Sequence, residues 1–211
     1  YEVIRKHDPQ TGEEVINLRL RQRMPGKIRT LASAIISDLR HALDQALCDG
    51  ARLLGTRNIS RIHFPFGKEP KDFENEIKRR CGDIDADLVN FLRGFKPYLG
   101  GDNLLWALSR MAAPNKHQRI LHISMKDAGT ILQSEGLYCR GPFTVGINKW
   151  NDMRNELEFA RIGQGGYVQM DFAIPLQIIV ATAEAVAGHE ALPLFNTLTG
   201  KVEGIVLGLE A

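Results

Sequence analysis

Apolar and polar positions change period several times along this chain. The opening "YEVIRKHDPQTGEEVINLRLRQRMP" holds two strand-like stretches around "DPQTG", whose Asp, Pro and Gly suit a hairpin turn. In the second stretch Ile16, Leu18 and Leu20 alternate with Asn17, Arg19 and Arg21, which predicts a strand with one buried and one wet face ending before Pro25. From Gly26 to about Leu54 the period becomes helical. Ile28, Leu31, Ile35, Leu39, Ala42 and Ala46 form one predicted apolar stripe, widened by Ile36, Leu43, Leu47 and Leu54. Ser33, Ser37, Arg40, His41, Asp44 and Cys48 recur at steps of three and four, a narrow polar stripe along a rod expected to be central and covered on more than one side.

"GTRNISRIHFPFGKEP" reads as a loop, followed by predicted helices from Asp72 to about Arg80, from Ile84 with Asp83 as cap, and over "NLLWALSRMAA" with Asp102 or Asn103 as cap. Pro114 ends the last of these, since the residue before proline resists helical geometry. Strand-like runs follow: "RILHISM", "GLYCRGPFTVGI", "ELEFARI", "YVQMDFAI" and "LQIIVA", with "GQGG" as a turn. "ALPLFNTLTGKVEGIVLGLE" has Leu194, Leu198, Val202 and Ile205 at helical spacing and closes the chain as a helix despite three glycines. The segregation predicts an α+β fold: an N-terminal hairpin (1–24), a helical part (25–114), an antiparallel strand-rich part (115–181) and a C-terminal helix (191–209).

With 211 residues and 44% hydrophobic residues, a single domain with one sizeable core is expected. The formal charge of +2 argues against a global field that would drive the chain onto nucleic acid or lipid, so any such binding needs a local patch. Cys48, Cys81 and Cys139 are far apart and form no CxxC pair, the pattern of reduced packing thiols in a cytoplasmic protein. The longest apolar run, from Phe172, is broken by Pro175, Gln177 and Glu184, so no membrane partner is expected. The start at Tyr1 without a methionine suggests a processed or trimmed chain lacking residues ahead of it.

"DLRHALDQAL" (38–47), "FPF" (64–66), "KPYLGGDNLLWALSRMA" (96–112) and "NKHQRIL" (115–121) resemble, in order and approximate spacing over nearly the whole chain, a widespread group of bacterial proteins. Its members read Leu-Arg-x-Ala-Leu-Asp in a long first helix, then Phe-Pro, Pro-Tyr with glycines, and a Leu-rich helix ending in Lys-His-Arg. The resemblance implies a shared fold and site geometry; the group has no established activity to transfer. Arg40, Asp44, Lys116 and His117 match. Gln45 replaces a histidine common in relatives, and Gln118 interrupts the Lys-His-Arg string, so chemistry depending on either position is altered here.

Arg40 and Asp44, one helical turn apart, suit an ion pair, and a guanidinium on so apolar a helix implies either that pairing or a bound anion. His117, flanked by Lys116 and Arg119, either offsets a helix C-terminal dipole or faces Arg40 and Asp44 across a cleft. In the second case His117 is the acid-base group, Asp44 orients it, and Arg40 with Lys116 and Arg119 holds an anion, a catalytic arrangement of His117, Asp44 and Arg40. Phe64, Phe66, Tyr98 and Trp106 would wall that cleft and offer a flat surface to a base.

Helical HEPN ribonucleases carry an Arg followed by His after four to six residues. Arg40 plus five lands on Gln45 here, whereas Arg57 to His63 and Arg110 to His117 fit that count, at a frequency that chance alone would supply. The six histidines form no HExxH or Cys-His cluster, so no metal and no cofactor are expected. "GQGG" lacks a following Gly-Lys-Ser/Thr and is a turn. Arg19, Arg21 and Arg23, with Lys27 and Arg29 behind, read as the wet face of a strand or as a nucleic-acid footprint. The leading expectation is an anion- or nucleotide-binding protein with a metal-independent, RNA-cleaving acid-base site. The competing one is a non-catalytic interaction module, such as a homodimer, in which the same residues form a buried network.

Overall fold

The computed structural model describes residues 1–112, 121, 123–127, 131–132, 138–145, 150–151, 153–169, 172–173, 176–181 and 184–210. The chain divides into two compact units: 1–25 with 124–179, and 26–123 with 180–211.

In the first unit, β1 (Glu2–His7) and β2 (Glu14–Arg19) form the expected hairpin, with Gly12 at φ +71 in its turn. β2 is an interior strand, pairing on its other side with β8 (Glu156–Ile162), which also pairs with β6 (Phe143–Val145) and β7 (Trp150–Asn151). All of these pairings are antiparallel. The predicted alternation is corrected here: Val15 and Asn17 are buried along with Ile16 and Leu18, so β2, an interior strand, is covered on both faces over this stretch. Ile16, Leu18, Leu157, Phe159, Ala160, Ile162 and Val168 make the core of this unit. A short ribbon joins β5 (Tyr138–Arg140) to β9 (Tyr167–Gln169), and two further pairs join β4 (Ile131–Leu132) to β10 (Phe172–Ala173) and β3 (Ile123–Asp127) to β11 (Leu176–Val180). The "GQGG" turn links β8 to β9, with Gly165 at φ +73.

The second unit is built on α1 (Gly26–Leu53), with α2 (Pro70–Arg80), α3 (Ala86–Phe95), α4 (Asn103–Ala112) and α5 (Ala191–Glu210). α1 buries Ala32, Ile36, Leu43, Ala46, Leu47, Gly50 and Ala51. The predicted stripe is therefore rotated: Leu31 and Ile35 are exposed, because α4 and α5 cover the Ile36–Leu43–Leu47 edge of the wide apolar arc. α1 is central without being covered all round. At Gly50 an added Cβ would lie 3.4 Å from the carbonyl oxygen of Leu209, the close approach that lets α5 lie along α1.

The caps are partly as expected. Asp102 Oδ1 accepts the N–H groups of Leu104 and Leu105 at the start of α4 and binds Lys201 of α5 through Oδ2. The cap of α3 is Asp85, accepting from Asp87 N at 2.8 Å, and not Asp83. The α+β class, the N-terminal hairpin, the antiparallel strands and the closing helix are all present. Among the described residues no helix is long and apolar enough to cross a membrane.

Candidate functional site

The polar stripe of α1 meets the loop that follows the helix. Residues 62 to 66 run antiparallel to α1, and three residues of the stripe, Cys48, Asp44 and Arg40, take successive pieces of loop backbone. Cys48 Sγ lies 3.6 Å from Ile62 O, Asp44 Oδ1 accepts Phe64 N–H at 2.7 Å, and Arg40 Nη2 donates to Phe64 O at 3.1 Å. A loop held alongside a helix must satisfy its buried backbone groups with side chains, and a four-residue step supplies one per helical turn. Pro65 helps from the loop side, because it favours an extended Phe64 and has no N–H of its own. Farther along, Gly67 N donates to Pro97 O at 3.2 Å, and a Cβ there would sit 2.4 Å from Phe73 N. Only glycine fits that approach.

Arg40 and Asp44 are an ion pair at 3.5 Å, with about a fifth of each side chain exposed (22% and 20%). The guanidinium carbon lies 4.0 Å from the centroid of the Phe66 ring, a cation–π contact. Burial pulls the Arg40 pKa below its ordinary value; Asp44 opposes that shift, Arg80 adds to it and Glu76 opposes it. Glu76 in turn binds Arg79 and Arg80, each at 2.6 Å. Three guanidinium groups, Arg40, Arg79 and Arg80, thus share two carboxylates, Asp44 and Glu76.

The second oxygen of Asp44 points at a residue absent from the expected site. His63 Nδ1 lies 3.3 Å from Asp44 Oδ2, and the His63 side chain is 45% exposed. A carboxylate that receives Nδ1–H fixes the ring and leaves Nε2 for chemistry. Below this pair, Cys81 Sγ lies 3.9 Å from His63 O, and burial pushes its thiol up to about 12. Burial likewise raises Cys48, with Asp44 adding to the shift. Both are inert packing thiols of the loop seat.

The expected site residues divide unevenly. Arg40 and Asp44 come together, and Phe64 joins them through its backbone. The Phe64 ring is 1% exposed and packs on Phe66 and Phe95; Trp106 is 6% exposed within α4. Neither is an open wall, because both rings are spent on the core. Tyr98 is half-buried, with its ring 5.7 Å from Phe73. Lys116, His117 and Arg119 lie outside the described residues, as does Gln118. Of the basic run on β2, Arg19 is held by Glu156 and Glu2, whereas Arg21 and Arg23 are exposed. His63 had one sequence signal, its distance of six residues from Arg57, and nothing in that count ties it to Asp44.

A cavity of about 550 Å³ lies between Phe95, Lys96, Gly101, Asp102, Asn103 and Lys201. Its polar groups already serve each other: Asp102 caps α4 and binds Lys201, and Asn103 accepts from Gly100 N at 2.9 Å. Among the described residues no three His, Cys, Asp or Glu side chains are placed to hold a metal ion. Comparisons with protein-family models, with curated proteins and with solved structures give no match for this chain.

Proposed function

We propose that this protein binds a phosphate-bearing anion or nucleotide at the imidazole of His63, and that this imidazole serves as a metal-independent acid-base group able to cleave RNA. The observation that carries the reading is the Asp44–His63 pair at 3.3 Å, with the carboxylate itself fixed by Phe64 N–H and the imidazole half-exposed. A carboxylate-oriented histidine with an accessible Nε2 is the arrangement general acid-base chemistry requires. Arg80, paired with Glu76, adds positive potential at Arg40 and at Cys81, which adjoin Asp44 and His63. Arg40 ties the loop to α1 through Nη2, which donates to Phe64 O and faces Asp44.

The test is a panel of inorganic phosphate, mononucleotides and a short RNA, with EDTA present. The ring signals of His63 should shift with phosphate or nucleotide, and His63→Ala should abolish both binding and cleavage without changing the melting temperature. A second reading, a non-catalytic network, draws on the same stripe, because Phe64 N and O are both satisfied by α1. Under it no anion shifts His63, and Arg40 and Asp44 matter for stability alone.

A further inference from the structure

The ribbon of β5 and β9, in the unit that does not carry His63, has two unlike faces. In its antiparallel register Tyr138 faces Gln169, Cys139 faces Val168, and Arg140 faces Tyr167. Directly paired residues share a face. Val168 is fully buried in the core, so Tyr138, Arg140, Tyr167 and Gln169 project together on the side away from it. Tyr138 is 61% exposed and Tyr167 49%, with ring centroids 6.2 Å apart and planes at 58°. These are two of the larger exposed aromatic surfaces among the described residues, and they adjoin each other diagonally across the strands.

Among the described residues of β5 and β9 the only charged side chain is Arg140. Arg140 is exposed and has no ion-pair or hydrogen-bond partner among the described residues, and neither described strand carries a carboxylate. A second guanidinium reaches the same ribbon: Arg5 Nη2 donates to Val168 O at 2.9 Å while pairing loosely with Glu14. Gly141, at φ +86, would place a Cβ 3.0 Å from Gly166, so the two strands close tightly at that end.

We propose that this face binds single-stranded nucleic acid. The tyrosine rings stack unpaired bases and Arg140 meets a backbone phosphate, while the Gln169 amide, already accepting from Tyr167 OH at 3.2 Å, stays beside the rings as a polar neighbour. Exposed aromatics on a sheet surface beside an unpaired guanidinium suit a ligand with flat bases and repeating negative charge. A proline-rich peptide would use the rings and leave Arg140 idle. The site is independent of His63, and the two readings fail separately.

The experiment uses the whole chain with fluorescein-labelled ten-nucleotide oligo-U and oligo-dT and a duplex of equal length, followed by anisotropy at increasing salt. Single strands should bind at least roughly tenfold more tightly than the duplex, since a duplex offers no free base faces. Tyr138→Ala and Tyr167→Ala should each weaken binding by roughly tenfold, and the double variant by about a hundredfold. Tyr→Phe at both positions should retain binding, because the ring and not the hydroxyl does the stacking. Arg140→Ala should flatten the salt dependence. Tyr138→Ala and Tyr167→Ala should leave any shift of the His63 ring signals by inorganic phosphate as it is in the parent, so that the two readings are scored separately. Preference for oligo-U would add a ribose contact, and equal binding would leave bases and phosphates as the recognised groups. The proposal is overturned if no oligonucleotide binds at about 0.1 mM, the weak end of non-specific association. It is equally overturned if the double alanine variant keeps wild-type affinity with an unchanged circular dichroism spectrum, or if a proline-rich peptide binds these tyrosines and oligonucleotides do not.

Discussion

Asp44 accepts the backbone N–H of Phe64 at 2.7 Å, and the same carboxylate faces the imidazole of the residue just before, His63. One side chain on α1 therefore fixes the path of the loop and orients its histidine. Stability and chemistry are joined there, and substitutions that alter one oxygen's partner at a time can separate them.

Asp44→Ala removes the acceptor of a buried N–H and leaves Arg40 without its counter-ion. The expected cost is about 2–3 kcal/mol, reduced from the cost of a fully buried pair because a fifth of each side chain is exposed. Asp44→Asn, which keeps an acceptor for Phe64 N, should cost about half as much. Urea unfolding measures both; equal losses would mean that charge, and not the hydrogen bond, is what holds the loop.

Two glycines should respond oppositely to alanine. Gly67→Ala drives a methyl group to within 2.4 Å of backbone and should destabilise by more than about 2 kcal/mol. Gly204→Ala, inside α5 with nothing within 4 Å of the new Cβ, should stabilise by about 0.5–1 kcal/mol. Thermal melts of the two variants would show midpoints moving apart from that of the parent.

Glu156 is a buried carboxylate held by Lys6 at 2.6 Å and by Arg19 Nε at 2.9 Å. Burial alone would raise its carboxyl, but the two cations bring it below the ordinary glutamate value. A depressed folded-state pKa contributes stability above the unfolded-state value, about 4.3, and that contribution fades as pH falls through the folded-state value. Glu156→Gln should therefore cost about 1–2 kcal/mol near pH 7, moderated by the partly exposed cations, and nothing in strong acid. Urea midpoints measured from pH 7 down to acid should converge for parent and variant; a constant gap would contradict the ion-pair account.

The cysteines should differ in reactivity. Cys139 is exposed, whereas Cys48 and Cys81 lie in the loop seat with raised pKa values, that of Cys81 near 12. A thiol reagent at neutral pH should modify Cys139 within minutes and the other two only on unfolding. Mass spectrometry of the labelled peptides reads this directly, and fast labelling of Cys81 would show that the loop opens.

Periodicity alone was enough for the helices and the main strands, because a 3.6-residue or two-residue repeat is a local property that survives any packing. It located α1, α4 and α5 nearly to their ends and placed the β1–β2 hairpin, whose turn chemistry is local as well. Burial was less legible: the apolar arc of α1 is wide enough to offer two edges to the core, and only the positions of α4 and α5 chose between Leu31–Ile35 and Ile36–Leu43. In the same way, β2 could not be recognised as an interior strand until β8 took its second edge.

The sequence by itself determined that Arg40 and Asp44 share one face of α1, since four residues of helix put them there whatever surrounds it. Which histidine meets that face was decided by tertiary structure. His63 reaches Asp44 because Pro65 favours an extended Phe64, position 67 admits only glycine, and hydrogen bonds with Arg40, Asp44 and Cys48 lay the loop back along the helix. A contact across nineteen residues depends on all of these together, and no residue spacing encodes that conjunction.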